Sequence, residues 1–596
     1  MKTKQRLFVS LFMAILPLMA SAYDVKVNGI YYNLDASTKT ATVTQGNSDE
    51  YYSETVVIPS TIKPSGVTYT VTTIGRSAFY ICDKLTAVTI PTSVTTINDF
   101  AFCGAGLTSV KIPGSVKTIG TNVFNECEDL TTVQFEKGVT TIGQNMFQQC
   151  VNLKNVTLPS TLKTIDYYAF YNCKSLQSIT IPDGVEDINS YAFDGSGLRS
   201  ITIPSSVKNI GWYAFYYCID LISITINSVN STISDEAFTK CYNIQTVSLD
   251  CQTIGNWFAK SYMLETVVLG SHVKTIGEGA FKDCSELRNL TIGNNVTTIG
   301  KEAFSGIYEL NSVTIPNSVT TIGEKAFAYC GSGSPLYITF GTGLTTVAKD
   351  AFAGSRYGFS FNNSNTSILP SLIDPGGLVH VSFGSNVTAI PAHTFSKCDC
   401  LEYVYIGKNV KSIGEGAFYE CYNLTTVRGG SNVVSIGNSA FYDCSNLEDI
   451  TLIKNVVTIG DEAFSCCYML EEITLGEGIK TIGKGAFASC FNLEKVYIYA
   501  KNIPTADATS FDKMEVSDAT LYVQSSLLST YKKRVPWTYF GSIQPLQTGI
   551  TTDIDNGQMD SAKAQSESWY TIDGQKLSGK PAKKGVYIRN GKAVVN

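Results

Sequence analysis

Seventeen cysteines and three histidines carry the most specific chemistry available to this chain of 596 residues. Thiolates bind zinc, attack carbonyls or pair as disulfides; imidazoles move protons or bind metals. Spacing decides among these uses. No Cys-x-x-Cys pair occurs, so zinc and dithiol redox centres lack their ligand pattern. His272, His380 and His393 have no partner at metal spacing. Nucleophile-elbow, phosphate-loop and zinc-protease motifs are missing as well. Carboxylate pairs such as Asp461-Glu462 precede an Ala-Phe pair, where charge keeps a turn solvated. The sequence therefore reads as a non-enzymatic protein with no catalytic residue, metal or cofactor.

The cysteines follow a rule of position. Thirteen of them stand three residues after a recurring phenylalanine: Cys82, Cys127, Cys150, Cys173, Cys218, Cys241, Cys284, Cys330, Cys398, Cys421, Cys444, Cys467 and Cys490. Elsewhere that place holds Ala105, Ser196, Ser261, Ile307, Ser355 or Met514. A place that accepts these residues is a small buried packing site, and free cysteine fills such sites well. Stacked repeats would bring the Cα atoms within about 5 Å, inside disulfide range. Their side chains would run parallel, so the pattern predicts a ladder of thiols and leaves occasional bridges open. Cys103, Cys251, Cys400 and Cys466 lie off this ladder.

The positioning element is a repeat. The marker phenylalanine recurs from Phe79 to Phe352 and again from Phe395 to Phe511, in steps of mostly 23 residues. The wide step between Phe352 and Phe395 holds one degenerate repeat around Asn362–Pro375. One unit runs Leu85-x-x-Val88-x-Ile90-Pro91-x-Ser93-Val94-x-x-Ile97, then Ala101-Phe102. Leu-x-x-Val-x-Ile reads as a short strand closed by Pro or Gly. Val-x-x-Ile-Gly is a second extended piece. The Ala-Phe-x-x-Cys stretch has helical spacing and predicts a helical turn. No unit can bury its apolar face alone; stacking buries it. The expectation is an α/β repeat solenoid of about 20 units, a rod on the order of 95 Å at strand spacing.

This pattern resembles the BspA-like bacterial leucine-rich repeat, over roughly three quarters of the chain. The resemblance implies an exported or surface protein of Bacteroidetes type, associated with adhesion, and brings no active-site residue. Around the repeats at 71–512 the sequence places a β-rich cap at 23–70 and a capping segment at 513–546. The latter, with Trp537 and Phe540, is similar to segments that close such repeats in Bacteroidetes proteins. A polar linker follows at 547–568. The tail at 569–596 resembles short β-rich sorting segments, and a plain β-hairpin unit is the alternative.

Lys2, Lys4 and Arg6 precede an apolar run from Leu7 to Ala20, and Ala20-Ser21-Ala22 supplies a cleavage pattern. Residues 1–22 therefore read as a secretory signal peptide, which predicts export to the cell surface, the outer membrane or the medium. No later stretch approaches the roughly 18 apolar residues of a membrane span. Charged residues are 16% and the net charge is −6, which excludes a disordered chain and a nucleic-acid binder.

What remains is surface. The outward place of the first strand is a Thr/Ser row through the N-terminal two thirds of the repeats. Further on, the outward places carry His380, Tyr403, Tyr405, Arg428 and Tyr497, the residue types of binding hot spots. These form the candidate face for a protein ligand: a host matrix or mucosal protein, or a protein of another microbe. A second candidate is the aromatic ribbon of Tyr168, Tyr191 and Tyr213 with Trp212 beside it. It would suit a glycan if exposed, and would only cover the core if its rings fold down. A cell-envelope scaffold and a glycan-capturing surface protein are the alternatives to an adhesin.

Overall fold

The computed structural model describes residues 23–46, 51–451 and 455–547, and the backbone of Trp569–Thr571, Lys576–Leu577, Val586–Arg589 and Lys592–Val595. The expected signal peptide and nearly all of the expected linker lie outside the described residues. The chain divides into two compact units, Met1–Cys251 and Gln252–Asn596.

Each repeat of about 23 residues makes one turn of a β-solenoid, and most carry two short strands. The first alternates exposed and buried residues, as in Ser109–Ile112 and Ser200–Ile203. Its β-branched residues suit a pleated surface with one buried side. The second is commonly a Thr-Ile pair with Ile turned inward, as in Thr141–Ile142.

In the first unit, Glu54–Val57, Leu85–Thr89, Ser109–Ile112, Thr132–Phe135 and Asn155–Thr157 form a parallel sheet. Like residues fall opposite like: Val110, Val133 and Val156 share one row, and Ile142, Ile165, Ile188 and Ile210 another. The N-terminal end carries the antiparallel strands Val25–Val27, Ile30–Asp35 and Thr40–Thr44. In the second unit a seven-stranded sheet runs from Ser312–Ile315 to Asp449–Ile450, and Ala389–Ile390 starts a six-stranded row of second strands. Parallel pairing carries Lys495–Ile498 on to Thr520–Val523 and Ser542–Pro545.

The third segment of each repeat corrects the sequence reading. Ala-Phe-x-x-Cys forms no helical turn; the α-helical segment Leu528–Tyr531 lies beyond the repeats. The corner alternates two kinds of hydrogen bond instead. Ala78, Tyr80 and Cys82 N–H donate within the turn to Gly75, Ser77 and Phe79 C=O, at 3.2, 3.1 and 3.3 Å. Ser77, Phe79 and Ile81 N–H donate to Asp99, Ala101 and Cys103 C=O of the next turn, at 3.1, 2.7 and 2.8 Å. Every second amide thus belongs to the neighbour, whereas a helix would keep all of them. Left-handed residues break the helical path, among them Ser77, Ile81, Tyr168, Tyr191 and Tyr213, with φ between 52° and 61°. Successive three-residue turns have a period close to that of a helix, which is why the two look alike in sequence.

The marker rings form the core of each unit. From Phe79 to Phe238 successive centroids are 4.8–5.6 Å apart and the planes lie within 17°. From Phe395 to Phe511 the spacing is 5.1–5.4 Å. In the degenerate repeat the 3-10 helix Thr366–Leu372 replaces second strand and corner. Tyr357 takes up the stack there, 5.1 Å from Phe352, and its hydroxyl donates to Leu372 C=O at 2.6 Å. At the ends, Tyr52 stands 4.6 Å from Phe79, while Phe511 meets Phe540 at 5.2 Å and Trp537 at 5.8 Å.

Removing one mid-stack ring leaves its neighbours without contact on one side. Phe441→Ala is expected to lower stability by about 3–5 kcal/mol in urea unfolding, as core Phe→Ala changes do. A loss below about 1 kcal/mol would mean that the stack is not the core.

Candidate functional site

All seventeen cysteines are free, and all but Cys400 and Cys466 are buried. The ladder has a chemical purpose beyond packing. The thiols of Cys127, Cys150, Cys173 and Cys218 donate to the carbonyls of Phe102, Phe124, Phe147 and Phe193 in the preceding turn, at 3.0–3.2 Å. Cys421, Cys444, Cys467 and Cys490 repeat the contact on Phe395, Phe418, Phe441 and Phe464 at 3.1–3.3 Å. Ser355, in the same place, keeps the bond, its Oγ donating to Phe327 C=O at 2.6 Å, whereas Ser196 Oγ lies 3.4 Å from Cys218 Sγ. The recurrence of serine was the sequence signal for a donor, and reading the place only as a small packing site missed it.

These thiols are not built for reaction. Burial pushes Cys82 up to about 11, and Cys284, Cys330 and Cys421 up to about 12. The thiolate is the nucleophile, so such groups are inert near neutrality. No group of three His, Cys, Asp or Glu side chains among the described residues could hold a metal ion.

The face formed by the outward row is partly assembled. His380 pairs in register with Tyr403, and their rings stack at 4.5 Å. Burial lowers His380 to about 4, so it is a neutral, packed ring rather than a charged contact. Tyr405 pairs with Arg428 and is 41% exposed. Arg428 donates through Nε and Nη2 to Asp449 Oδ2, at 3.0 and 2.6 Å. The structure therefore joins His380, Tyr403, Tyr405 and Arg428 and adds Asp449. Tyr497 stands apart from them and stacks on Tyr522 at 4.6 Å.

The ribbon lies at the corners of the first unit. Tyr168 and Tyr191 are parallel at 4.7 Å, and Tyr191 meets Tyr213 at 5.3 Å and 35°. These rings are half-buried, so they neither fold fully over the core nor stand free. Trp212 beside them is 65% exposed.

Two stacked parallel strands per turn, with identical residues in register, define a β-solenoid of leucine-rich-repeat type. The family model for the BspA type leucine rich repeat region matches residues 59–177, 163–288, 253–374 and 388–517, and the chain belongs to that family. Among solved structures, a leucine-rich repeat protein from Bacteroides ovatus is 22% identical, covering 82% of this chain and 100% of its own, with a TM-score of 0.28. A leucine rich cell surface protein from Faecalibacterium prausnitzii is 20% identical over 88% and 95% of the two chains, with a TM-score of 0.20. The pneumococcal vaccine antigen PcpA is 17% identical over 88% and 98%, with a TM-score of 0.26. No curated protein matches the chain. No helix among the described residues is long and apolar enough to cross a membrane.

Titration of the native protein with an aromatic disulfide reagent near neutral pH is expected to label Cys400 and Cys466 first. The remaining thiols should react only after unfolding. Rapid labelling of ladder cysteines such as Cys150 or Cys444 would contradict their burial.

Proposed function

We propose that the protein is exported by its N-terminal segment and acts at the cell surface or in the medium as a non-enzymatic binding protein. Its ligand is a protein: a host matrix or mucosal component, or a surface protein of another microbe. The observation that carries this reading is the grouping of Tyr405 and Arg428 in register on an outward row, with Tyr403 and His380 stacked beside them. Aromatic and arginine side chains concentrate binding energy when a partner desolvates them. Asp449 holds the Arg428 guanidinium in place, which lowers the entropy lost on docking. Family membership supports a surface role, and the composition supports binding over catalysis.

Glycan capture is the second reading, favoured by Trp212, whose exposed indole borders the tyrosine ribbon. Against it, Tyr168 and Tyr191 cover each other's faces, and a pyranose ring needs an open one. A cell-envelope scaffold without a soluble ligand is what remains if neither surface binds.

The test is a binding screen of the chain against immobilised matrix proteins, mucins and glycans. Saturable binding to a protein is expected. Tyr405→Ala and Arg428→Ala should each weaken it by roughly tenfold or more, without a change in melting temperature. Full retention of affinity in both variants would reject this face, and binding to glycans alone would favour the second reading.

A further inference from the structure

The corners of the second unit keep one hydrogen-bonding rule on both sides of the degenerate repeat. Before it, Glu302, Phe304 and Gly306 N–H donate to Glu324, Ala326 and Ala328 C=O of the next turn, each at 2.8 Å. Phe327 and Tyr329 N–H donate in the same way to Ala351 and Ala353 C=O, at 2.8 and 3.1 Å. After it, His393, Phe395 and Lys397 N–H reach Glu415, Ala417 and Tyr419 C=O at 2.8, 2.8 and 2.7 Å. Donors two residues apart thus meet carbonyls two residues apart on the neighbouring stretch of chain.

Between Phe352 and Phe395 this rung of backbone is missing, because the 3-10 helix Thr366–Leu372 stands where a corner would be. Tyr357 replaces the ring of that corner, 5.1 Å from Phe352, but its backbone has no substitute. Among the described residues no acceptor takes up Asp350 N–H or Phe352 N–H. On the far side, Ala392 and Thr394 C=O receive no N–H among the described residues either. Gly354 N–H, the third donor of the set, is met by Asp374 Oδ2 at 2.8 Å. Phe352 is buried, and a buried amide without an acceptor is costly.

A cavity of about 510 Å³ opens at the same place. Its size is that of a ligand site, about 300–1,000 Å³. Asp350, Phe352 and Ala353 line it from the corner, and Ser371, Ile373 and Pro375 from the segment that replaces the next one. An occupant must bring acceptors for two N–H groups two residues apart. A phosphate or a carboxylate would bring them, but the charges in the lining oppose an anion: Lys349 stands with Glu324, Asp350 and Asp374. Glu324 is held by Lys301 at 3.2 Å, which leaves two carboxylates against one lysine. Neutral backbone carbonyls meet no such opposition, and an extended peptide presents those of alternate residues along one edge. In the complete corners of this unit the acceptor for the marker Phe amide is an alanine carbonyl, as at Ala303, Ala326, Ala351, Ala417 and Ala440. The place therefore suits a small residue, and Asp350 and Asp374 favour a basic one beside it.

We propose that this cavity receives an extended segment of a partner protein, with a small residue such as alanine at its centre and a lysine or arginine nearby, whose backbone carbonyls accept from Asp350 and Phe352 N–H and complete the missing corner. Peptides added to an exposed sheet edge bind by the same division of labour, main chain for affinity and side-chain pockets for selection. The site is separate from the Tyr405–Arg428 face and does not depend on it.

The test is fluorescence-polarisation titration of the full chain with a dye-labelled capped peptide, acetyl-Lys-Ser-Val-Ala-Val-Ser-Lys-amide. Saturable binding is expected. It should be lost when the central alanine of the peptide is replaced by tryptophan, and lost again in Ser371→Trp, whose indole fills the cavity while the melting temperature holds. Hydrogen exchange read by mass spectrometry supplies a measurement that needs no variant, so a misfolded Ser371→Trp leaves the proposal falsifiable. In the free chain the amides of Asp350 and Phe352 should exchange faster than those of Phe304 and Phe327, and the peptide should slow them. No saturable binding, full binding by a folded Ser371→Trp, or protection only outside residues 349–354 overturns the proposal. Equal protection of these amides by sodium acetate would assign an anion site, and protection that grows with protein concentration alone would assign a second copy of the chain; either result also overturns it.

Discussion

One constraint governs this molecule: half of the amides at every corner, and those of the short strands, have acceptors only in the adjacent turn. Phe79 N–H has no local acceptor; its partner is Ala101 C=O one repeat later. An isolated turn would bury unpaired donors, at about 1–3 kcal/mol each, and would be unstable. Stability is then a sum over neighbouring turns, and each turn holds its shape because the next one does. The phenylalanine stack and the thiol-to-carbonyl bonds follow the same rule, for each links one turn to its neighbour. The ends need other solutions. Tyr52 supplies a ring and a hydroxyl that donates to Thr44 C=O at 2.7 Å; Trp537, Tyr531 and Phe540 close the other terminus.

Strict register also makes the surfaces. A residue type that persists at one place in the repeat becomes a column, and a change in a few consecutive repeats becomes a patch. The Thr/Ser rows are the plain case, since threonine suits an exposed strand. Tyr403, Tyr405 and Arg428 make a patch on strands, while Tyr168, Tyr191 and Tyr213 make one at corners. Substitution at the outward places of a fixed ladder leaves the buried Phe and Cys columns in place.

Much of this was legible in the sequence. The repeat length, the two extended pieces, the inward Ile and Val, the marker Phe and the burial of the ladder cysteines all follow from spacing and residue type. The corner was not, because a three-residue turn repeated with left-handed residues between looks like one face of a short helix. The thiol bond was signalled by Ser355 in the cysteine place, and its acceptor became visible only with the backbone of the preceding turn. Of the outward residues, the register of Tyr405 with Arg428 follows from the repeat, whereas the pairing of Arg428 with Asp449 needs side-chain geometry.

The measurement that bears most directly on the account is native-state amide hydrogen exchange, resolved at the corners. Phe124 and Glu126 N–H donate to Met146 and Gln148 of the next turn, just as strand amides donate to theirs. The account predicts that these corner amides exchange as slowly as Val133 in the adjacent strand, and only by opening of neighbouring turns together. Corner amides that exchange far faster than the strands would show that the corners are ordinary loops, and that the turn-to-turn ladder does not hold the solenoid.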